Sequence, residues 1–412
     1  MNKTNGKTIE ASLNEDYTHP VRDVLWGHIY MTEKQAELTS CAPFIRLCRI
    51  FQLGPVYLTY PGATHTRASH SIGVYHLGKR LLQNLAERGA SAWLSPEGVK
   101  SFLAACLLHD LGHFPYTHSL KELSLRSHES LTGAIIMKEP LKSLVAATGA
   151  DPQLTAAIID KETKDKGDEL HFYRKLLSGV LDPDKLDYLN RDARYCGVPY
   201  GAQDVDFILS KLLPNKERGV NIDSRLIPNV ESILFSKYLM YRTVYWHHQV
   251  RAATSMIKKA LITCLKSEKI TENELYDLDD HSLFALLAER TGDTLASSVR
   301  DGRIFIKAAE FPANKVNIDA IRKIDTRSRL EEQLALKMGI EQVIIDVPEP
   351  VSFETGLFVI DEGLNFSESS SAFKAETVNS FVESLYTVRI FIDQKYREKI
   401  KTFSEVYGIL LK

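Results

Sequence analysis

The sequence has few of the features that mark exported, membrane-embedded or disulfide-stabilised proteins. Its 412 residues include only five cysteines, none of them in a C-x-x-C pair, which argues against a disulfide framework and for buried, reduced thiols. No stretch reaches the roughly 18 uninterrupted apolar residues of a membrane span, and the polar start MNKTNGKTIEASLNED lacks the apolar core of a signal peptide. We therefore expect a cytoplasmic protein without a membrane partner.

The chain also lacks an excess of charge. Its formal net charge of −2 and its pI near 6.7 provide no overall electrostatic attraction to nucleic acid or to an anionic membrane. A local basic pocket would still hold phosphates, so the balance favours a small anionic substrate over a polymer and leaves nucleic-acid binding open. With 44% hydrophobic and 25% charged residues, the composition is that of a globular protein with a core and an accessory domain.

Helical periodicity dominates the first two thirds of the chain. The segments FIRLCRIFQLG and HSIGVYHLGKRLLQNLAERG have apolar residues at helical spacing and end at Gly54 and Gly89. VKSFLAACLLHDLGH predicts a third helix, which Pro115 ends. The longest periodic segment, about residues 230–266, predicts a central helix.

The pattern changes beyond about residue 300. RIFIKAAE, EQVIIDVPE, GLFVI and VRIFID are short β-branched runs, and helical patterns lie between some of them. Residues 1–18 have no hydrophobic period and predict a flexible lead-in. The sequence therefore predicts a mainly α fold, with a helical core over residues 19–285 and a smaller C-terminal α+β lobe over residues 286–412.

Histidine is concentrated in one part of the chain. Seven of the thirteen histidines lie within 64 residues: His65, His70, His76, His109, His113, His118 and His128. Imidazole is the commonest metal ligand and also titrates near neutrality, so one site can use some histidines as ligands and others as proton carriers. On a helix, His109 and His113 share one face, and Asp110 is turned about 100° away. One ion between the directions of His109 and Asp110 would leave His113 to face substrate.

Simpler interpretations remain open for single residues. A lone histidine on an apolar helix, such as His65 or His76, is more often a core residue than a ligand. An adjacent histidine and aspartate after the apolar run FLAACLL are costly to bury unless they are paired or bind a metal, which favours a metal site. Taken alone, the acidic residues around Pro183, which are Asp182, Asp184 and Asp187, fit a solvated turn. The tyrosines of the long helix, Tyr238, Tyr241 and Tyr245, fit the core, and Gln52 fits a helix cap.

Several linked segments resemble the HD-domain deoxynucleoside triphosphate triphosphohydrolases, both those of bacteria and the mammalian enzyme that carries a SAM domain. The segments are QLGPVYLTYPGATHTRASHSIGV, CLLHDLGHFPYTHS, SHES and LDPDKLDYLNRD, which occur in the same order and with similar spacing over about residues 20–260. The resemblance implies an HD-domain helical core and a metal-dependent phosphohydrolase.

The resemblance also implies roles for individual residues. The metal ligands would be His70, His109, Asp110 and Asp184. His118 would transfer a proton beside the α-phosphate, and His113 and His128 would support catalysis. The phosphates would meet Arg67, Lys185 and Lys237, and the sugar would meet Gln52, Leu53, Tyr188, Asp192 and Tyr245, with Tyr241 nearby. Lys237 and Tyr241 stand where the mammalian relative has arginine and histidine.

Two of these implications bear on the choice of substrate. Gln52 and Leu53 match positions that crowd the sugar, where a 2′-hydroxyl would clash, so deoxyribose is favoured over ribose. Tyr188 and Asp192 follow Asp184 by four and eight residues, a helical spacing that lets one face meet metal and sugar in turn. The leading hypothesis is therefore hydrolysis of a deoxynucleoside triphosphate to deoxynucleoside and inorganic triphosphate, by attack of water at the α-phosphate.

Two alternatives remain. One is an HD phosphodiesterase or nucleotidase acting on another nucleotide or a nucleic-acid end. The other is a nucleotide-sensing subunit without turnover, against which the intact ligand set argues.

The cofactor and the regulation are less narrowly specified. Two imidazoles and two carboxylates suit Mn, Fe, Mg, Zn or Ni, and Mg would also accompany the substrate phosphates. The mammalian relative reads a guanine-nucleotide activator through three polar side chains; here Ser40, Ile45 and Cys48 stand at those positions, so we expect that site to be absent or remodelled. The resemblance further implies a homo-oligomer, dimer or tetramer, and an allosteric nucleotide bound at a different site.

Overall fold

Helices make up most of the chain. The structure, a computed structural model, describes residues 2–163, 167–292, 294–401 and 403. The helices are α1 Asn2–Asn14, α2 Glu33–Thr39, α3 Ala42–Leu47, α4 Arg67–Glu87, α5 Pro96–Leu108, α6 His128–Ile136, α7 Leu141–Ala147, α8 Pro152–Ile159, α9 Asp168–Leu177, α10 Pro183–Cys196, α11 Val205–Lys211, α12 Ile227–Met240, α13 His248–Lys266, α14 Glu272–Asp277, α15 Asp280–Thr291, α16 Thr294–Arg300, α17 Ile318–Arg322, α18 Ile324–Met338, α19 Phe366–Ser369 and α20 Ala375–Leu385. The strands are β1 His19–Asp23, β2 Gly27–Met31, β3 Leu213–Asn215, β4 Gly219–Asn221, β5 Ile306–Pro312, β6 Val343–Asp346, β7 Phe358–Val359, β8 Leu364–Asn365 and β9 Thr387–Ile392.

Three helices at the centre of the core carry the predicted metal ligands. Helix α4 packs against both α5 and α10. It begins where the Thr66 hydroxyl accepts a hydrogen bond from the amide of Ser69, and it buries Leu77 and Leu81 at helical spacing. Since α5 is buried along almost its whole length, it forms the middle of the core and presents its C-terminal end to the site.

Helix α10 begins and ends at residues suited to those positions. The side chain of Asp182 accepts a hydrogen bond from the amide of Lys185 at 2.6 Å, and Pro183 occupies the first turn. The helix ends at Gly197, which has a φ of 66° in the left-handed region that favours glycine. These caps fix Asp184 in the first turn of α10, facing α4.

The C-terminal part contains the predicted α+β lobe. Strand β9 lies between β5 and β6 in an antiparallel sheet, and Ile392 pairs with Ile306 on one side and Val343 on the other. Helix α18 packs against β6, and helix α13 of the core packs against both β5 and β6. The predicted mainly α fold with a C-terminal α+β lobe is confirmed.

The elements of the structure differ from the predicted domain limits in two places. Residues 2–14 form α1 instead of a flexible lead-in, because Ile9 and Leu13, one helical turn apart, are buried against the core. The predicted boundary between residues 285 and 286 falls inside α15. Beyond it, Leu357 and Phe366 belong to the same apolar cluster as the helical core, so the lobe and the core share buried surface.

The long helix predicted over about residues 230–266 is interrupted. A π-helical turn at Tyr241–Tyr245 follows α12, and the amide of Trp246 donates to the carbonyl of Tyr241 at 2.9 Å. The chain leaves helical geometry at Trp246 and His247 before α13 begins. Apolar spacing alone did not reveal this break, because it continues on both sides of the turn.

Two further features relate to the scarcities in the sequence. Cys41, Cys106 and Cys264 are buried, as predicted, whereas Cys48 is exposed. Across the residues that the structure describes, no helix combines the length and the apolar character needed to cross a membrane.

Candidate active site

The four predicted metal ligands come together from three helices. His70 lies in the first turn of α4, His109 and Asp110 directly follow α5, and Asp184 lies in the first turn of α10. The Nε2 atom of His70 is 2.9 Å from Oδ1 of Asp184, and Nε2 of His109 is 3.3 Å from Oδ1 of Asp110 and 4.0 Å from Oδ1 of Asp184. Ligand atoms of His70, His109 and Asp110 all lie within 4.8 Å of one another.

The hydrogen bonds of the two imidazoles fit a divalent cation. His109 donates from Nδ1 to the carbonyl of Cys106 at 2.9 Å, while its Nε2 is buried without a hydrogen-bond partner. His70 uses Nδ1 on the Asp187 carboxylate at 2.8 Å, which leaves Nε2 directed at Asp184. A ring nitrogen held in this way, beside carboxylates and with its other nitrogen bonded to an acceptor, is the arrangement of metal-binding histidines.

The charged side chains of the site also fit a bound cation. Burial by itself would raise the pKa of Asp110, but His113, His109 and Arg67 hold that pKa well below its ordinary value. Burial likewise opposes ionisation of Asp184, yet the hydrogen bond and charge of His70 keep its pKa low. Both carboxylates are therefore ionised at neutral pH and available to a cation.

Asp187 supports the ligand His70 and was not predicted as a site residue. It is fully buried and accepts hydrogen bonds from Arg191 at 2.7 and 2.9 Å and from the indole of Trp26 at 2.6 Å. Arg191 also donates to Asp23 at 2.9 Å. This chain of charged groups fixes the orientation of the imidazole.

One feature of the sequence is consistent with the role of Asp187 in orienting His70. Asp187 and Arg191 are four residues apart on α10, a helical ion-pair spacing. The close packing around them explains Gly73 on α4, where a Cβ atom would stand 1.9 Å from Oδ1 of Asp187. A small residue opposite an acidic residue becomes recognisable only once the two helices are known to touch.

The turn that follows α5 differs from the predicted helix. Helix α5 ends at Leu108, so His109 and His113 do not share a helical face. The hydroxyl of Thr132, on α6, accepts a hydrogen bond from the amide of Gly112 at 2.8 Å and donates to the carbonyl of His109 at 3.0 Å. This side chain ties the turn to α6, in addition to the backbone hydrogen bonds from Leu111 to Leu108 and from His113 to Asp110.

Three histidines form a second group beside the ligands. The Nε2 atoms of His113 and His118 are 3.2 Å apart, and the ring centroids of His113 and His128 are 3.9 Å apart. Burial, followed by neighbouring positive groups, lowers the pKa of all three rings, to about 3 for His128. His118 nevertheless opens to the cavity. The group therefore contains uncharged imidazoles that can accept or pass a proton.

A cavity of about 510 Å³ contains both groups and most of the predicted substrate residues. Those that line it are Gln52, Leu53, Arg67, Tyr188, Asp192, Tyr241 and Tyr245. Arg67 donates to Oδ2 of Asp110 at 2.8 Å, which places a guanidinium beside the ligands. Also in the cavity lining, Asp192 accepts a hydrogen bond from the hydroxyl of Tyr245 at 2.6 Å. The predicted metal, proton-transfer and sugar residues thus share one cavity.

Lys185 and Lys237 do not line this cavity. Lys185 donates to Asp182 at 2.9 Å and pairs with Glu354 at 2.8 Å, and Lys237 donates to the carbonyl of Ser352 at 2.8 Å. Both ammonium groups are thus engaged within the protein: that of Lys185 by the carboxylates of Asp182 and Glu354, and that of Lys237 by the main chain of the C-terminal lobe. No sequence motif near either lysine indicated the contacts with Ser352 and Glu354, which lie more than a hundred residues further along the chain.

The same segment supplies part of the cavity wall. Val347, Glu349, Pro350 and Val351, between β6 and β7, line the cavity. Asp280 lines it as well and accepts a hydrogen bond from the amide of Phe51 at 2.7 Å. The sequence did not associate any of these residues with the site, since each lies outside the recognisable motifs.

Comparisons with known proteins agree with this architecture. The family model of the HD domain matches residues 67–191, and that of the HD-associated region matches residues 204–407. The fold and the histidine and aspartate cluster therefore define an HD-domain protein. The chain thus contains an HD domain over residues 67–191, and the proteins similar to it include named triphosphohydrolases.

The relatives come from distant organisms. YwfO of Bacillus subtilis is 36% identical over 263 residues, which are 62% of this chain and 57% of that protein. MJ1154 of Methanocaldococcus jannaschii is 28% identical over 400 residues, 93% of this chain and 81% of that protein. Deoxynucleoside triphosphate triphosphohydrolase SAMHD1 of Danio rerio is 28% identical over 218 residues, 51% of this chain and 33% of that protein. The chain thus spans little more than half of YwfO and a third of the zebrafish enzyme.

Solved structures share the fold over nearly the whole chain. A crystal structure of an Aquifex aeolicus protein has a TM-score of 0.72 at 27% identity and covers 93% of this chain and 99% of that one. The phosphohydrolase BT4208 of Bacteroides thetaiotaomicron has a TM-score of 0.71 at 23% identity, with 92% and 100% covered. The second likeness speaks for the fold alone.

Proposed function

We propose that this protein is a metal-dependent phosphohydrolase that converts deoxynucleoside triphosphates to deoxynucleosides and inorganic triphosphate. The observation that carries the proposal is the shared cavity, in which the four ligands stand beside His118 and within the same enclosure as Gln52 and Asp192. The SAMHD1 relatives bear the name deoxynucleoside triphosphate triphosphohydrolase, which supports the same substrate class here.

The side chains divide the work of hydrolysis. His70, His109, Asp110 and Asp184 would hold the divalent ion, which when bound polarises a phosphate oxygen and acidifies water. A bond forms between the water oxygen and the α-phosphorus, and the bond from that phosphorus to the 5′-oxygen breaks. His118 exchanges a proton with the attacking water or with the departing 5′-oxygen, which leaves protonated as part of the deoxynucleoside.

Other residues position the substrate. Arg67 lies next to Asp110 and neutralises charge on the α-phosphate. His113, with its Nε2 atom 3.2 Å from that of His118, holds the proton-transfer ring in place. Gln52 and Leu53, which line the same cavity, would crowd the sugar and so favour deoxyribose.

A product-resolved assay tests the proposal. The purified protein is incubated with Mn²⁺ or Mg²⁺ and the four deoxynucleoside triphosphates, singly and mixed, and the products are separated by ion exchange. We expect deoxynucleoside and tripolyphosphate in equal amounts, and in H₂¹⁸O we expect the label in tripolyphosphate. Asp184→Ala should abolish both products. Exclusive release of orthophosphate or pyrophosphate would contradict the proposal.

One observation favours a second candidate, a nucleotidase acting on deoxynucleoside monophosphates. Lys185 and Lys237, the cations predicted to meet the outer phosphates, are engaged by Glu354 and Ser352. A monophosphate needs only Arg67 and the metal ion. Turnover of monophosphates with release of orthophosphate, and none of triphosphates, would establish this candidate in place of the first.

A further inference from the structure

His65 belongs to the histidine cluster in sequence, but its ring contacts Asp192, one of the predicted sugar residues, and is not a predicted metal ligand. Its side chain is completely buried, and its Nε2 atom is 2.8 Å from Oδ1 of Asp192. The ring stacks against that of Tyr195 with a centroid separation of 4.6 Å. Burial of this kind leaves the imidazole one orientation, in which it meets the carboxylate.

The main chain of His65 is hydrogen-bonded to a second residue that lines the cavity. The amide of Gln52 donates to the carbonyl of His65 at 3.0 Å. Both Gln52 and Asp192 line the cavity. His65 therefore joins two predicted sugar contacts, one through its main chain and the other through its ring.

The chemistry of Asp192 limits what it can bind. Its Oδ2 atom accepts a hydrogen bond from Tyr245 at 2.6 Å, and Oδ1 is engaged by His65. An ionised carboxylate only accepts hydrogen bonds, so a substrate group that meets it has to be a donor. The sugar of a 2′-deoxynucleotide offers one hydroxyl donor, the 3′-hydroxyl.

We propose that His65 is a positioning residue that holds the Asp192 carboxylate in the orientation that accepts the substrate 3′-hydroxyl. The inference rests on the proposed function for its substrate class. Two partners, the buried His65 and the half-buried Tyr245, hold the two oxygens of Asp192 and fix its plane. Without the His65 contact, Oδ1 would lack its buried donor, and the carboxylate would rotate away from the sugar.

The test compares a deoxynucleoside triphosphate with the matching 2′,3′-dideoxynucleoside triphosphate. His65→Leu removes the donor but keeps an apolar side chain, whereas His65→Gln retains an amide N–H at about the position of Nε2. We expect His65→Leu to reduce the ratio of kcat/KM for the two substrates by about tenfold, mostly through the deoxynucleotide, and His65→Gln to restore most of that ratio. Tyr195→Phe, which keeps the stacked ring, should leave the ratio unchanged.

The outcomes separate this inference from the proposed function. A purely structural role for His65 would lower the activity towards both substrates alike, and a wild-type ratio in His65→Leu overturns the inference. Thermal melting of each variant shows whether it is folded. If the wild-type protein hydrolyses neither triphosphate, the proposed function fails; the same ratio is then measured as Kd by calorimetry, where equal values in wild type and His65→Leu overturn the role of His65.

Discussion

Replacing Asp187 tests whether the buried ion pairs of α10 hold the metal site together. Asp187 has no solvent exposure, and its pKa of about 2 leaves it ionised at neutral pH, because its charged partners outweigh the opposing effect of burial. Asp187→Asn keeps the shape but removes the charge that faces Arg191 and His70. Breaking a buried pair on one side costs about 3–5 kcal/mol. Because Arg191 keeps Asp23 as a partner, we expect the lower end, about 3 kcal/mol.

The same change should weaken the metal site. Loss of a carboxylate that orients a ligating histidine typically lowers metal affinity about 10–100-fold. Urea unfolding with a chelator present measures the free energy of unfolding, and calorimetric titration with Mn²⁺ measures the affinity. Asp206→Asn is the control, because Asp206 is 81% exposed in its pair with Arg80 and should matter by less than about 0.5 kcal/mol. An Asp187→Asn protein that matches this control in both measurements would refute the reasoning.

Three other changes test separate parts of the site. His118→Ala should lower kcat by about 10²–10⁴-fold with little change in KM or in the circular dichroism spectrum, since the ring transfers a proton and supports no core packing; a large rise in KM with an unchanged kcat would contradict this role. Burial raises the pKa of Asp280 from 3.8 to about 6, so the folded protein keeps a proton that the unfolded chain loses between those values, and the contribution of Asp280 makes stability fall as pH rises through that interval. Asp280→Asn, which keeps an acceptor for Phe51, should remove up to about 3 kcal/mol of that fall, measured by urea unfolding at about pH 4 and about pH 7; identical pH dependence in both proteins would disprove it. Glu354→Gln should remove one of the two carboxylates that pair with Lys185, while Asp182 remains, and should tighten inhibition by tripolyphosphate by at most about fivefold, the worth of a half-exposed ion pair; weaker inhibition would contradict it.

The grouping of the four predicted metal ligands could be expected from the sequence, because their neighbours carry much of the information. His109 and Asp110 follow a long apolar helix, and Asp184 follows a cap and a proline, so helix ends and ligands coincide. Their convergence then depends on α4, α5 and α10 packing together, which the resemblance supplied. The sequence could not reveal Thr132, because its role arises from a contact between α6 and the turn after α5.

The two lysines show the opposite case. Lys185 lies next to a ligand in sequence, yet its ammonium group is held by Glu354 of the C-terminal lobe. A lysine has four rotatable carbon–carbon bonds, so its charged end follows the nearest acceptor and not the direction of its helix. Side chains with short, stiff stems, such as His70 and Asp184, could be placed from backbone position alone.

The interrupted helix shows a limit of periodicity. Tyr241 and Tyr245, the first and last residues of the π-helical turn, both line the cavity. Apolar spacing before and after the turn is helical, so periodicity alone predicts one continuous helix in place of α12 and α13. The helix breaks at the predicted substrate residues, where the helical preference of the local sequence does not determine the backbone conformation.

Residues 347–351 form a part of the cavity wall that can change in evolution independently of the reacting groups. This segment has no regular secondary structure and contributes no predicted ligand or proton-transfer group. Loops tolerate insertions and substitutions far better than buried helices do. Relatives that keep the same metal site can therefore diverge in the size and shape of molecule they admit by altering one connection of the C-terminal lobe, while the reacting groups on α4, α5 and α10 stay as they are.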